Sequence, residues 1–582
     1  MSIRLSAAKA VVRFLAAQRT EEGERLFAGC WAIFGHGNVA GMGQALQAAQ
    51  AELPTFRAHN EQGMALAAIA FAKATRRRRM MACTTSIGPG AMNLLTAAGV
   101  AHVNRLPVLF LPGDVFATRR PDPVLQQLED WGDATASVND CFRPVSRFFD
   151  RITRPEQLLD ALPRAVQVLT DPAACGPVTL SLCQDLQAEV FAFPEALFEP
   201  RRHARPRPGA DPAALVRVVA LLRSARRPLI VSGGGVLYSE AAAVLGTFAS
   251  RHGVPVAETQ AGKGALAWNH PCNVGAIGVT GSAAANALAQ EADLVLAVGT
   301  RLQDFTTGSR RLLPGGPAMV QLNVGAFDAG KHGAVPLVGD ARRTLEELGQ
   351  ALADAAAPAA WQARARALGA AWHGAVETAT AAPAGNVVAT DAQVLGAVNR
   401  AAGPEDVVVC AAGGLPGELH KLWRTARPGG YHVEYGFSTM GYEIAGGLGV
   451  RMARAAGEVF VMVGDGSYLM LNSELQTSVA LGRKLIVTVL DNGGFGCIHR
   501  LQQACGGAPF NNLTTHGVDF AAHARSLGAQ AETVEGIAGL EAALSRARVA
   551  DRTTVIVIAT DPDASTEAGG AWWDVPAPGG AA

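Results

Sequence analysis

VGDGSYLMLNSELQTSVALGRKLIVTVLDNGGFGCIHR, residues 463–500, is the stretch around which the rest of the chain is read. An apolar run, 459–463, leads into Gly464-Asp465-Gly466, and a second, 485–490, leads into Asp491-Asn492-Gly493-Gly494. About 25 residues separate Gly466 from Asn492. That is room for a loop, a helix and a returning strand, so both polar ends can meet at one edge of a parallel sheet. Such an edge offers a carboxylate, a side-chain amide oxygen and glycine-freed backbone, a set of hard oxygen ligands suited to Mg²⁺ carrying a diphosphate. A GDG triplet alone reads as a strand-to-helix turn. Followed at this spacing by a strand that ends in Asn, it is a far more specific pattern.

The 582 residues allow three or four ordinary domains, and 49% hydrophobic against 17% charged residues supply ample apolar surface for large cores. Lys+Arg and Asp+Glu are both 50, which gives no electrostatic case for nucleic acid or an acidic membrane. The one dense basic run, Arg76 to Arg79, sits between a helical pattern and a strand and reads as a solvated turn. The nine Cys are scattered without CxxC spacing, which indicates free thiols in a reducing, cytoplasmic compartment and neither a disulfide framework nor a zinc site. Residues 2–18 read as an amphipathic first domain helix, too interrupted by charge for a secretory signal. No stretch is long and apolar enough to span a membrane.

Along the chain, strands alternate with helices, and each strand is almost continuously apolar. This is the signature of an α/β fold with parallel sheets covered on both faces. A first unit has strands near 30, 53–58, 80–84, 107–111 and 177–182, with Gly-rich or polar loops at FGHGN (34–38), HNEQGM (59–64) and TSIGPGA (85–91). Residues 193–212, rich in Pro and Arg, read as a linker. A second unit has strands at 228–232, 254–257, 294–298 and 319–324; its Gly233-Gly234-Gly235 lacks a full dinucleotide fingerprint and reads as a tight turn. The Ala-rich stretch 354–384 reads as a second, partly helical linker. The third unit has a strand at 407–410, the loop AAGGLP (411–416), the segment YGFSTMGYE (435–443), the opening stretch and a last strand at 554–558. The first and third units look like architectural cousins without a clear repeat. The Gly/Ala/Pro-rich tail after 561, with Trp572 and Trp573, reads as mobile.

Glu61, the TSIGPGAMN loop, the GFSTMGYEI segment and the GDG…N stretch occur in the order seen in the acetolactate synthase/pyruvate decarboxylase superfamily of thiamine diphosphate (ThDP) enzymes, which this chain resembles over nearly its whole length. The resemblance implies three doubly wound parallel-sheet domains: pyrimidine-binding at 1–192, a middle Rossmann-like domain at 213–350 and a diphosphate/Mg-binding domain at 385–562, with 563–582 a tail. Within the superfamily, AIFGHGNV (32–39), NEQGMALAAIAFAK (60–73), LPGDVFATRRPDPVLQQ (111–127), FRPVSRFFDRITRPEQL (142–158) and LHKLW (419–423) resemble the 3D-(3,5/4)-trihydroxycyclohexane-1,2-dione hydrolase family of myo-inositol catabolism. Cys183 stands where Pro is expected before Gln-Asp, and His59 where Arg is expected.

The superfamily implies roles for particular residues. Glu61 would pair with the pyrimidine N1′; from spacing alone it reads equally well as a helix-N-terminal Glu favoured by the macrodipole. A carboxylic acid there, in a largely apolar pocket, could keep a proton available. Asp465 and Asn492, with the Gly494 carbonyl, would hold Mg²⁺. Gly413, Gly414, Gly466 and Ser467 would contact the diphosphate. Met440, otherwise core filler, would prop the cofactor in its bent form, and the Ser438 carbonyl would receive the 4′-amino group. The implied activity is hydrolytic ring cleavage of the cyclic dione to 5-deoxy-D-glucuronate. His36, His59 and His432 are candidates for handling water and protons, His36 first for its exposed loop, although each can equally be a structural His. Asn38, Gln62 and Arg119 are candidates for contacts to ring hydroxyls. The rival readings are a carboligase or 2-oxo acid decarboxylase, which would use the same cofactor residues, and a non-catalytic ThDP-binding regulatory subunit, which would be expected to lack Glu61. The family arrangement implies a homodimer or homotetramer with active sites at subunit interfaces.

Overall fold

The computed structural model describes residues 1–385, 387–515 and 517–566; the tail expected to be mobile lies, from 567 on, outside the described residues. It contains three six-stranded sheets, each parallel throughout. The first runs in the spatial order Thr55–Phe56, Phe27–Ala32, Met80–Thr85, Leu109–Asp114, Val178–Cys183, Phe148–Ile152. The second runs Asn273–Ala276, Val256–Glu258, Pro228–Ser232, Leu294–Val298, Ala318–Asn323, Val335–Val338. The third runs Tyr431–Val433, Val407–Cys410, Val459–Gly464, Ile486–Asp491, Thr554–Ala559, Gln530–Val534. Numbered along the chain within each sheet, the first and third share the order 2-1-3-4-6-5, and the middle sheet has the Rossmann order 3-2-1-4-5-6. The chain is thus α/β with three parallel sheets. Central strands such as Met80–Thr85 and Leu294–Val298 are buried at every position, because helices cover both faces.

The described chain divides into two compact units. One comprises Met1–Pro206, Gly436–Ala455 and Leu471–Arg483; the other comprises Arg207–Tyr435, Ala456–Met470 and the chain from Lys484. In the first unit the helix Tyr442–Ala453 packs on the helix Glu61–Ala74, which is buried from Gly63 to Ala72. Small residues permit this approach: a Cβ on Gly449 would stand 2.1 Å from the Ala67 carbonyl oxygen. The second unit holds the middle and third sheets.

Four expectations are revised by the structure. The chain does not open in a helix. Ser2–Ser6 is a strand, paired antiparallel with Val190–Pro194, and the helix is Ala7–Ala17, started by Ser6, whose hydroxyl accepts from Lys9 N at 3.3 Å. Part of the expected linker at 193–212 is therefore structured, and Arg201–His203 forms a further strand beside Gln18–Thr20. The stretch 354–384 is mostly one helix, Ala359–Thr380, anchored by buried Trp361, whose indole N–H donates to Pro228 O at 2.9 Å. The run Arg76 to Arg79 does form a turn, but only Arg78 is exposed; Arg77 and Arg79 donate to the carbonyls of Asn104 and Arg25.

Candidate active site

In the first unit Glu61 is the first residue of its helix. Asn60 caps that helix, its Oδ1 accepting from Gln62 N at 2.8 Å and Gly63 N at 3.2 Å. The half-buried Glu61 carboxylate accepts from Asn93 Nδ2 at 2.9 Å. Its other oxygen lies 3.2 Å from where a Cβ on Gly90 would stand, so the glycine makes room for it. Behind the helix start, Glu474 is fully buried. One oxygen accepts from His59 N at 3.4 Å and Asn60 N at 3.2 Å; the other accepts from Thr477 Oγ1 at 2.6 Å. Burial pushes the Glu474 carboxyl above its ordinary range, against the pull of these donors. Gly63 leaves the space this carboxylate fills, since its Cβ would stand 2.5 Å from Oε1.

The FGHGN loop is braced from both sides. Gly37 N donates to Ser86 Oγ at 3.3 Å, and Gln187 donates to Gly37 O at 2.7 Å while accepting from Met42 N at 3.3 Å. His36 stands exposed on this braced loop. Asn38 turns inward, 1% exposed, accepting from Gly35 N and donating to Ile33 O. These bonds hold it to its own loop, and Nδ2 lies 3.4 Å from Thr84 Oγ1 on the strand Met80–Thr85. His59 is exposed, with Nε2 2.5 Å from Gln476 Oε1, whereas His432 is buried in the edge strand Tyr431–Val433. Gln62 is half-buried and Arg119 exposed. Ser438 is exposed and Met440 half-buried, in the turn before the helix Tyr442–Ala453; Gly441 closes that turn at φ +86°, donating to Glu443 Oε2 at 3.1 Å.

In the second unit the two polar ends of the GDG…N stretch meet. Val459–Gly464 and Ile486–Asp491 are parallel neighbours, with Gly464 opposite Leu490, so Asp465 and Asn492 leave adjacent strands at one edge. Val407–Cys410 flanks them and leads to Gly413 and Gly414. Asp465 is fully buried; Oδ2 accepts from Thr515 Oγ1, and Oδ1 has no partner among the described residues. Burial is the chief reason its pKa is pushed up to about 6, and the Asp491 carboxylate adds to it. Asn492 Oδ1 accepts from Gly494 N at 3.3 Å, and Gly494 O lies 3.3 Å from the Cβ position of Gly466. Above Gly413 and Gly464 there is open space, with nothing within 4 Å of a Cβ.

An orphaned buried carboxylate oxygen, an amide oxygen and a carbonyl beside open glycine backbone suit a hard cation carrying an anion. Among the described residues no group of three His, Cys, Asp or Glu side chains has metal-site geometry. Glu474, Asn93, Ser86, Gln187 and Thr515 complete the picture and were not singled out from sequence. Ser86 and Asn93 could have been, since they lie in the quoted TSIGPGAMN loop; Glu474 and Thr515 carry no local signal.

Family models match three parts of the chain: the N-terminal TPP binding domain of thiamine pyrophosphate enzymes at 30–136, their central domain at 215–348 and their C-terminal TPP binding domain at 411–558. A 3D-(3,5/4)-trihydroxycyclohexane-1,2-dione hydrolase of Geobacillus thermodenitrificans is 44% identical over 99% of this chain and 95% of that protein. Proteins of the same name from Bacillus cereus and Bacillus anthracis are 41% identical over the same shares. With identity of this extent over almost the full length, the chain belongs to the 3D-(3,5/4)-trihydroxycyclohexane-1,2-dione hydrolase family of thiamine pyrophosphate enzymes.

Proposed function

We propose that the chain hydrolyses 3D-(3,5/4)-trihydroxycyclohexane-1,2-dione, breaking the bond between the two carbonyl carbons to give 5-deoxy-D-glucuronate in myo-inositol breakdown, with thiamine diphosphate and Mg²⁺. The full-length likeness to hydrolases of that name carries the substrate, and the three thiamine pyrophosphate enzyme domains carry the cofactor. Ring opening adds one water and leaves a carboxylate and an aldehyde, so no external oxidant or reductant is needed. Bound thiamine diphosphate supplies a nucleophilic carbon for one carbonyl and an electron sink for the cleaved bond.

The protein's part is to hold and move protons. Glu61 holds a proton at the pyrimidine N1′, and Asn93 orients its carboxylate. Asp465, Asn492 and the Gly494 carbonyl bind Mg²⁺; Asp465 Oδ1 is the oxygen without another partner among the described residues. Gly413, Gly414, Gly466 and Ser467 receive the diphosphate, Met440 supports the cofactor's bend, and the Ser438 carbonyl takes the 4′-amino group. His36, exposed on its braced loop, takes a proton from the attacking water. The substrate is a small polyol with no nucleic-acid or membrane partner, and no helix among the described residues is long and apolar enough to cross a membrane. The nine cysteines are free, in keeping with a cytoplasmic enzyme.

Large apolar side chains beside the site residues are exposed: Phe34 and Val39 around His36, Phe437 before Ser438, Leu469 and Met470 after Ser467. Such surface next to polar site residues suits a second subunit and supports the homodimer or homotetramer, with sites at the interfaces, that the family arrangement implies. The deciding experiment follows ring opening of the dione by purified protein with and without Mg²⁺ and thiamine diphosphate, with pyruvate in parallel. Dione opening that requires both additions is expected. Acetolactate or CO₂ from pyruvate without dione opening would make the chain a carboligase or decarboxylase instead.

A further inference from the structure

Gly413 and Gly414 lead into the helix Leu415–Leu422 and differ in what stands over them. Gly413, at φ +82°, faces open space. A Cβ on Gly414 would stand 2.7 Å from Arg500 Nη2 and 3.8 Å from Cys497 Cβ. The first turns of the helix Gly496–Ala504 therefore lie against this glycine turn, and the Arg500 guanidinium sits beside the open ground at Gly413. Arg500 is half-buried and makes one hydrogen bond among the described residues, from Nη1 to Pro562 O at 2.7 Å. No carboxylate pairs with it within 4 Å among those residues, and its Nη2 and Nε make no hydrogen bond there. Asp391, which feels the Arg500 charge, is buried, with Oδ1 lacking a partner among the described residues. Burial pushes the Asp391 carboxyl up to about 6, and the Arg500 charge pulls it back.

A half-buried guanidinium with unspent N–H groups, held by a carbonyl at one end, is set to receive a planar pair of anionic oxygens. A diphosphate carries more negative charge than one Mg²⁺ cancels, and the Arg500 guanidinium stands over the glycine turn, its Nη2 2.7 Å from the Gly414 Cβ position. We propose that Arg500 takes the terminal phosphate of the cofactor and sets the preference for thiamine diphosphate over thiamine monophosphate. The proposal rests on the cofactor reading above and extends it to a side chain outside the GDG…N pattern.

The test is equilibrium binding to the full-length protein with Mg²⁺ present, by calorimetry, using thiamine diphosphate and thiamine monophosphate with wild type, Arg500→Gln and Arg500→Lys. Arg500→Gln should weaken diphosphate binding roughly tenfold or more and leave monophosphate binding within about twofold. Arg500→Lys, which keeps the cation but loses the fork, should fall between, and it decides the matter if the Gln variant does not fold. Equal losses for both ligands, or wild-type diphosphate affinity in both variants, overturns the role of Arg500. If the wild-type protein binds neither ligand, the cofactor reading fails and this proposal with it.

Discussion

The proposed mechanism gives Glu61 and Asp465 separable jobs, and their variants should separate them. Glu61→Ala should lower kcat about a hundredfold or more while Mg-dependent binding of thiamine diphosphate stays within a few-fold of wild type. Wild-type turnover in that variant would remove Glu61 from the mechanism. Asp465→Ala loses a buried oxygen with no other partner among the described residues, so Mg-dependent cofactor affinity should fall at least tenfold. Unchanged affinity, measured by titration with thiamine diphosphate at fixed Mg²⁺, would mean the ion binds elsewhere. The sequence places Asp465 at the end of an apolar strand, where a parallel sheet presents its ligand edge, whereas Glu61 is singled out only by resemblance, since spacing alone reads it equally well as a helix-N-terminal Glu. Asn38 marks a limit of sequence reading: an amide bonds its own loop as readily as a substrate hydroxyl, and composition does not distinguish the two. Glu474 was invisible because its partners are main-chain N–H groups more than four hundred positions earlier.

The helix that begins at Glu61 depends on that distant carboxylate. Glu474→Ala would strand the N–H groups of His59 and Asn60 in a buried place and should cost about 2–3 kcal/mol of unfolding free energy. Glu474→Gln keeps an acceptor oxygen and should cost less. Gly63→Ala drives a Cβ to 2.5 Å from the same carboxylate and should destabilise by a similar amount. Because the two sites share one space, the double variant Gly63→Ala/Glu474→Ala should be less than additive in chemical denaturation. Additive losses would show that the two positions do not meet. Elements read correctly from sequence are the central strands: residues 228–232, 294–298 and 407–410 are strands over just those spans. Asn273–Ala276, Val335–Val338, Tyr431–Val433 and Gln530–Val534 were passed over. All four are short edge strands, whose pattern is diluted by exposed positions or by brevity. Ser2–Ser6 was absorbed into a helix because its partner strand lies nearly two hundred residues away.

At the scale of the molecule, alternation of strand and helix made three parallel sheets legible, but neither the shared order of the first and third sheets nor the passage of residues 436–455 and 471–483 into the first compact unit could be read without coordinates. An assembled enzyme should give a solution mass at least twice that of the 60.2 kDa chain by light scattering; a purely monomeric, fully active protein would exclude the interface-site reading. Within the second unit, the middle and third sheets are tied through His420. This side chain is 1% exposed on the helix Leu415–Leu422; its Nε2–H donates to Glu258 O at 3.0 Å, and Nδ1 accepts from Thr280 Oγ1 at 3.1 Å. Burial, with the nearby Lys263 ammonium, pushes its pKa down to about 3. The unfolded chain binds a proton at His420 below about 6.5 that the folded chain refuses until about 3. Its contribution to stability is therefore complete above about pH 6.5 and is lost as pH falls toward 3, by up to about 1.4 kcal/mol per pH unit. Glu258, whose buried carboxyl is raised, titrates with the opposite sign, and lowered Lys263 with the same sign as His420, so the net slope of the wild type mixes all three. Comparison with His420→Gln isolates the imidazole. Between pH 6.5 and 4.5 the wild type should lose up to roughly 2–3 kcal/mol more than the variant in denaturant titrations. Parallel pH profiles for the two proteins would show that His420 is charged in the folded state and that the junction is held by other groups.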